Sequence, residues 1–294
     1  MVVLVLLVLL ITLGLLYYIN EDLIKALIHD VFGGSMGAKY KRIPEFAMFP
    51  DKYETIDMVR EALQTEGLES CNLIIGVDYT ASNEFQGKRT FGGRCLHTID
   101  QFEQNPYQKV ISIIGKTLAA FDEDNLIPVY GFGDITTKDR AVFPFLNHRS
   151  CEGFDEVLEQ YTQVTPRVKL SGPTNFAPII DEAIKIVARN MEFHILLIIA
   201  DGQVTNERAT IKAIEKASEY PLSIVMVGVG DGPWDMMHKF DDMLPYRQFD
   251  NFQFVDYHSI MAKGGPTEAR FALMALMEIP QQFNAIKRLG LLGK

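Results

Sequence analysis

The sequence of 294 residues contains only three cysteines, and no two of them form a Cys-x-x-Cys pair. Cys71, Cys95 and Cys151 are an odd and scattered set, which excludes a disulfide framework and a cysteine-based zinc site. No Asn-x-Ser/Thr sequon for N-glycosylation occurs either. These absences favour a cytosolic protein whose cysteines stay as thiols.

Positive charge is also scarce, with 28 Lys and Arg against 38 Asp and Glu and a formal net charge of −10. This balance argues against a general nucleic-acid binder, which needs clustered cations to neutralise phosphates. Gly131-Phe132-Gly133 and Gly228-Val229-Gly230 do not continue as GxGxxG, and no GxxxxGK[ST] occurs, so a nucleotide-binding enzyme is disfavoured. The six histidines are dispersed and give Ser82 no assignable catalytic partners.

Residues 1–19 contain no charged residue, and 17 of the 19 are hydrophobic. As a helix they would span about 28 Å, close to a bilayer core. They predict a transmembrane anchor, and residues 20–49 predict an amphipathic helix and a linker. Cations follow the leader but do not precede it, which predicts a single-pass membrane protein with its body in the cytosol. The alternative is that translation begins near Met36, which would make the protein cytoplasmic.

The body alternates strands and helices. The predicted strands are 73–78, 126–131, 195–200, 223–229 and 252–257, with Pro128 indicating an edge position or a bulge. Helices are predicted from Asn105-Pro106 to residue 118 and at 153–164, 176–190, 207–220, 234–243 and 267–288. This alternation predicts an α/β fold with a doubly wound, mainly parallel sheet of five or six strands, flanked by helices.

Side chains with hard oxygen atoms follow the predicted strands. Ligands of such sheets bind at the carboxyl ends of the strands, so these side chains are expected to converge. The five candidate metal ligands are Asp78, Thr80, Ser82, Thr174 and Asp201. Such a set suits Mg²⁺ or Mn²⁺. Two carboxylates at most neutralise the ion, so an open coordination position would attract a carboxylate from an Asp or Glu of a protein partner.

Several stretches resemble the metal-ion-dependent adhesion site (MIDAS) of von Willebrand factor A domains, which have a Rossmann-like fold. They are Asp78-x-Thr80-x-Ser82, Gly172-Pro173-Thr174-Asn175 and Ala200-Asp201-Gly202. Longer segments resemble the copine-type A domain found in copines and in plant RING-domain ubiquitin ligases. They are 105–107, 121–125, 131–134, 172–178, 227–232, 232–237, 250–255 and 277–280. The resemblance implies one such domain over residues 50–292 that binds protein partners, with the ligase branch more similar.

The sequence departs from both relatives. Only about 50 residues precede the domain, where copines carry two C2 domains, and no Cys follows Cys151 to build a RING. We therefore expect a non-enzymatic binding module without a catalytic residue. The alternative is a component of ubiquitination, such as an adaptor related to the RING ligases. Asp134 is open between a turn residue and a residue behind the metal, while His194 and Trp234 are expected to be structural.

Overall fold

The computed structural model describes residues 54–66, 68, 71–118, 124–202 and 204–293, all within the unit Ile43–Lys294. The predicted anchor at 1–19, the segment 20–49 and the stretch 121–123 lie outside the described residues. Within the described part, no helix is long and apolar enough to cross a membrane. The prediction of a single-pass membrane protein is therefore not supported and is withdrawn.

A six-stranded sheet forms the centre of the fold, in the order β4-β3-β1-β6-β7-β8. Every neighbouring pair is parallel except β3 with β4. Its strands are β1 (Asn72–Asp78), β3 (Val129–Phe132), β4 (Val142–Pro144), β6 (His194–Ala200), β7 (Leu222–Gly228) and β8 (Phe252–Asp256). Two short strands, β2 (Leu126–Ile127) and β5 (Cys151–Glu152), pair separately and antiparallel.

Helices cover both faces of the sheet. The helices are α1 (Ile56–Thr65), α2 (Pro106–Leu118), α3 (Gly153–Val164), α4 (Ala177–Val187), α5 (Glu207–Ala217), α6 (Asp235–Asp242), α7 (Tyr257–Met261), α8 (Thr267–Leu276) and α9 (Ile279–Leu289). Alternate residues of β6 enter two separate cores, with Ile195, Leu197 and Ile199 in one and Leu196 and Ile198 in the other. Burial on both faces explains why the central strands read as unbroken apolar runs. The predicted doubly wound, mainly parallel α/β fold is confirmed.

Two prolines produce the main departures from the predicted elements. Pro128 lacks an N–H and separates β2 from β3, and β3 lies inside the sheet between β4 and β1, so its predicted edge position is wrong. The carbonyl of Pro128 still accepts a hydrogen bond from the Ile75 N–H at 2.9 Å. Pro280 lies in the first turn of α9, which begins at Ile279, so the predicted helix over 267–288 is two helices.

Candidate functional site

Two buried aspartates end adjacent strands at one edge of the sheet. Asp78 is the last residue of β1, Asp201 directly follows β6, and both side chains are fully buried. Asp78 Oδ1 accepts a hydrogen bond from the Thr80 N–H at 2.8 Å, whereas Asp78 Oδ2 has no hydrogen-bond partner in the described part of the chain. Burial, and next the negative charge of Asp201, raises the pKa of Asp78 well above its ordinary value.

The two candidate hydroxyl ligands after β1 lie side by side. Thr80 Oγ1 and Ser82 Oγ are 3.0 Å apart, and a 3₁₀ turn over Ala81–Glu84 follows Thr80. Thr80 is buried and Ser82 is half-buried. The alternating pattern Asp-x-Thr-x-Ser thus places two hydroxyls together, two and four residues beyond the carboxylate.

Backbone contacts fix the loop that carries Thr174 against the loop after β1. The Ala81 N–H donates to the Ser171 carbonyl at 2.6 Å, and the Ser171 N–H donates to the Tyr79 carbonyl at 3.2 Å. The Thr174 carbonyl in turn accepts from the N–H and the hydroxyl of Thr205, at 3.0 and 2.8 Å. The three predicted ligand segments therefore meet at one edge of the sheet.

Two glycines allow close packing beside the aspartates, Gly133 against Thr80 and Asp78 and Gly202 against Trp234. A Cβ at Gly133, where φ is +81°, would lie 2.3 Å from Thr80 Cγ2 and 3.3 Å from Asp78 Oδ1. A Cβ at Gly202, where φ is +84°, would lie 2.1 Å from the Trp234 ring. A side chain at either position would displace the groups that shape the site.

A buried hydrogen-bond network behind Asp78 was not anticipated from the sequence. His97 Nε2 lies 2.7 Å from the Asp78 carbonyl and His97 Nδ1 lies 2.8 Å from Tyr161 Oη, while Tyr107 Oη donates to Asn83 Oδ1 at 2.6 Å. Burial lowers the pKa of His97 to about 3, so the ring is neutral. Because a carbonyl only accepts, the Nε2–H donates to Asp78 and the Tyr161 hydroxyl donates to Nδ1.

The histidine ring is also stacked between two tyrosines. Its centroid is 4.6 Å from the Tyr79 ring and 4.1 Å from the Tyr107 ring. The stack and the hydrogen bonds hold the end of β1 in place from behind. No sequence signal pointed to His97, because it lies in the irregular segment between β1 and α2 and reaches Asp78 only through packing.

The donor set of the site consists of oxygen atoms. Within the described residues no group of three or more His, Cys, Asp and Glu side chains could hold a metal ion. The five candidate ligands contain only two carboxylates and no His or Cys, so they do not form a group of this kind. Two carboxylates and three hydroxyls fit a hard cation that keeps part of its water shell. The unpartnered, fully buried Asp78 Oδ2 is the observation that favours a cation here.

Asp134, whose role the sequence left open, and His194, which was expected to be structural, both have local hydrogen-bond partners. The carboxylate of Asp134 accepts hydrogen bonds from the N–H groups of Thr136 and Thr137, at 3.1 and 2.9 Å, and from the hydroxyls of both residues. Asp134 is therefore a turn residue. His194 is buried at the start of β6, with Nδ1 2.8 Å from the Glu192 carbonyl.

Comparison with known proteins gives a clear result for the family. The family model described as Copine matches residues 95–294. "Copine family protein 2" of Caenorhabditis elegans is 56% identical over 244 residues, which are 82% of this chain and 3% of that protein. "E3 ubiquitin-protein ligase RGLG4" of Arabidopsis thaliana is 53% identical over 267 residues, covering 85% of this chain and 66% of that protein. "E3 ubiquitin-protein ligase RGLG3" of the same plant is 51% identical, with 85% and 72% covered.

The chain spans less than two thirds of several of these relatives, including 61% of "E3 ubiquitin-protein ligase RGLG5". Among solved structures, the manganese-loaded TRAP protein of Plasmodium vivax is 14% identical, with a TM-score of 0.46 over 68% of this chain and 74% of that one. Proximal thread matrix protein 1 of the mussel byssus, with a zinc-occupied MIDAS motif, is 12% identical, with a TM-score of 0.42 over 75% and 46%. Both are too distant to inform the site.

Proposed function

Since this chain belongs to the copine family, we propose that it is a protein-binding module that works through a divalent cation at the carboxyl edge of its sheet. The ligands that we propose are Asp78, Thr80, Ser82, Thr174 and Asp201. The metal is Mg²⁺, with Mn²⁺ as the alternative, because both prefer oxygen ligands. When bound, the cation supplies a focused positive charge to which a carboxylate of a partner protein can coordinate.

The fully buried acidic pair carries this proposal. Burying a carboxylate without a compensating charge is costly, and two of them at adjacent strand ends repel each other. Asp78 Oδ2 has no hydrogen-bond partner in the described residues, although the other oxygen of the same carboxylate is well bonded. A divalent cation would remove both costs. At Asp134, by contrast, both carboxylate oxygens accept hydrogen bonds from backbone N–H groups, whereas Asp78 Oδ2 accepts none among the described residues.

Calorimetry with Mg²⁺ alone tests the metal site. We expect Asp78→Ala to abolish Mg²⁺ binding and to leave the fold intact. Asp134→Asn is the matched control, because Asp134 also follows a strand of the sheet but its oxygens are bonded within its own turn. Unchanged Mg²⁺ affinity in Asp78→Ala would refute the metal site.

A pull-down in Mg²⁺ and in EDTA tests the binding function. We expect partner capture in Mg²⁺ that is lost in EDTA and lost again in Asp78→Ala. Capture that is equal in Mg²⁺ and in EDTA would contradict the proposal. The wild-type chain and Asp134→Asn should behave alike in both buffers.

A second candidate function is participation in ubiquitin transfer, and the names of the plant relatives favour it. In this case the module would bind the protein to be modified or a companion ligase. An assay with purified ubiquitin, ubiquitin-activating enzyme and ubiquitin-conjugating enzyme distinguishes an adaptor from a ligase. A product that depends on this chain alone would show ligase activity, whereas an adaptor requires a separate ligase.

A further inference from the structure

A cavity of about 400 Å³ lies between the loop that follows Ser82 and the loop that follows β7. Its lining includes Phe85, Lys88 and Arg89 from the loop after Ser82, and Asp231 and Pro233 from the loop after β7. Nothing in the proposed metal chemistry uses these side chains. We call this cavity the rim pocket.

Each wall of the rim pocket contacts a residue at or next to a proposed metal ligand. The N–H groups of Phe85 and Gln86 donate to the Ser82 carbonyl, at 2.9 and 3.1 Å. On the other wall, Pro233 precedes Trp234, whose ring lies against Gly202 and so beside Asp201. One wall of the pocket therefore directly follows Ser82, and the other is joined to Trp234, which contacts the residue after Asp201.

The two walls are held together by hydrogen bonds that satisfy Asp231. The Asp231 carboxylate accepts from the N–H groups of Arg89 and Thr90, at 2.9 and 3.0 Å, and from the Thr90 hydroxyl at 2.8 Å. Arg89 Nη2 also donates to the Asp231 carbonyl at 2.6 Å. The acidic group of the pocket is thus turned inward, and its side chain is only 10% exposed.

The remaining charged groups of the rim pocket are cations. The Arg89 side chain is 79% exposed, although its Nε lies 3.8 Å from Asp231 Oδ2. Lys88 is exposed and forms no ion pair among the described residues. Beside them, the Phe85 side chain is 60% exposed, and Pro233 is exposed too. An exposed apolar surface next to two cations stands out on a chain whose net charge is −10.

From this charge pattern we propose that the rim pocket binds an acidic peptide segment of the partner that also carries a large apolar side chain. One Asp or Glu would coordinate the metal, a second would face Lys88 and Arg89, and the apolar side chain would pack on Phe85 and Pro233. The inference rests on the proposed metal-dependent binding and specifies the partner. Neighbouring positive charge selects an acidic partner, and the aromatic contact adds apolar burial.

A displayed peptide library tests the rim pocket on the full-length chain. Each peptide carries one fixed Glu among random positions, and a parallel library carries Gln in its place. Selection is carried out in Mg²⁺. We expect the Glu library to enrich a second acidic residue and a large apolar residue, both at a preferred spacing from the fixed Glu. The most enriched peptide is then synthesised, and its Kd is measured by fluorescence anisotropy.

Two pairs of variants give the control. Lys88→Glu should weaken this peptide about fivefold, the upper range for an exposed ion pair, and Phe85→Ser should weaken it about tenfold, as expected for an aromatic contact. Lys212→Glu and Phe102→Ser change an exposed Lys and a 97% exposed Phe outside the pocket lining, and should leave the Kd unchanged. All four positions are exposed, so unfolding temperatures should stay close to wild type.

Different failures have different meanings. The role of the rim pocket would be refuted if the Glu library were enriched without an acidic or apolar preference. It would also be refuted if Lys88→Glu and Phe85→Ser left the Kd unchanged. In both cases the metal-dependent function would still stand. Equal selection of the Glu and Gln libraries would overturn the carboxylate binding itself, and the inference with it.

Discussion

Replacing Asp78 with Asn tests the site most directly, because the amide has the size of the carboxylate but no charge. In the metal-free protein, burial and Asp201 raise the folded-state pKa of Asp78 above its unfolded value. A raised pKa adds stability at pH below the unfolded value, and this stability is lost as the pH rises through the folded-state pKa. At higher pH the two ionised carboxylates of Asp78 and Asp201 destabilise the metal-free folded state.

In EDTA at neutral pH we therefore expect Asp78→Asn to stabilise the protein. Relieving an uncompensated buried polar group is worth about 1–3 kcal/mol. For a domain of this size, each kcal/mol raises Tm by about 2–4 °C. The variant should also lose the fall in stability with rising pH that Asp78 causes in the metal-free wild type.

Saturating Mg²⁺ should reverse the order of stability. A ligand at about 100 times its Kd stabilises the folded state by about 2.7 kcal/mol, so the wild-type Tm should rise by about 5–11 °C. The Asn variant lacks the second carboxylate and should show no such rise. Thermal unfolding followed by circular dichroism, with and without Mg²⁺, gives all four values.

The control for this experiment is Asp134→Asn. Its carboxylate is already bonded by Thr136 and Thr137, so the change should lower Tm slightly and leave the response to Mg²⁺ intact. The reasoning is refuted if Asp78→Asn lowers Tm in EDTA, because the buried carboxylate would then be stabilising on its own. It is equally refuted if Mg²⁺ raises the Tm of Asp78→Asn as much as that of wild type.

Three further predictions concern the groups around and beyond the site. Gly133→Ala should cost about 1–3 kcal/mol through backbone strain and weaken Mg²⁺ binding in calorimetry, because its Cβ would displace Thr80. Arg247→Met should cost about 3–5 kcal/mol in urea unfolding, because it removes the cation that lies 2.5 Å from the buried carboxylate of Asp250. His97, with its pKa lowered to about 3, makes stability fall as the pH drops from 6.5 towards 3, and urea unfolding across this range should show that His97→Gln lacks this fall.

The central strands and the site segments were predictable because they follow simple rules. A strand buried on both faces needs apolar residues throughout, so β6 and β7 could be read directly from the sequence. The carboxyl ends of parallel strands share one edge, so polar residues after two such strands must lie near each other. These two rules placed Asp78 and Asp201 together without any knowledge of distances.

The missed elements depend on contacts between segments that are distant along the chain. Strands β4 and β5 have only three and two residues, too few to show a period, and they form because β3 and β2 offer hydrogen-bonding partners. His97 carries no pattern of its own, and its role comes from the Asp78 carbonyl and the Tyr161 hydroxyl. The close approach of Gly133 likewise follows from the packing of β3 against β1.

The proposed metal site and rim pocket would together allow an acidic protein to bind an acidic partner. With a net charge of −10, the chain repels carboxylates over most of its surface. A cation at Asp78 and Asp201, together with Lys88 and Arg89 on the loop after Ser82, would make this part of the surface attractive to carboxylates. Because salt screens exposed charges more than buried ones, added salt should weaken the contribution of Lys88 before that of the metal. Partner binding would then require the cation, and contacts in the rim pocket would determine which acidic partners bind most tightly.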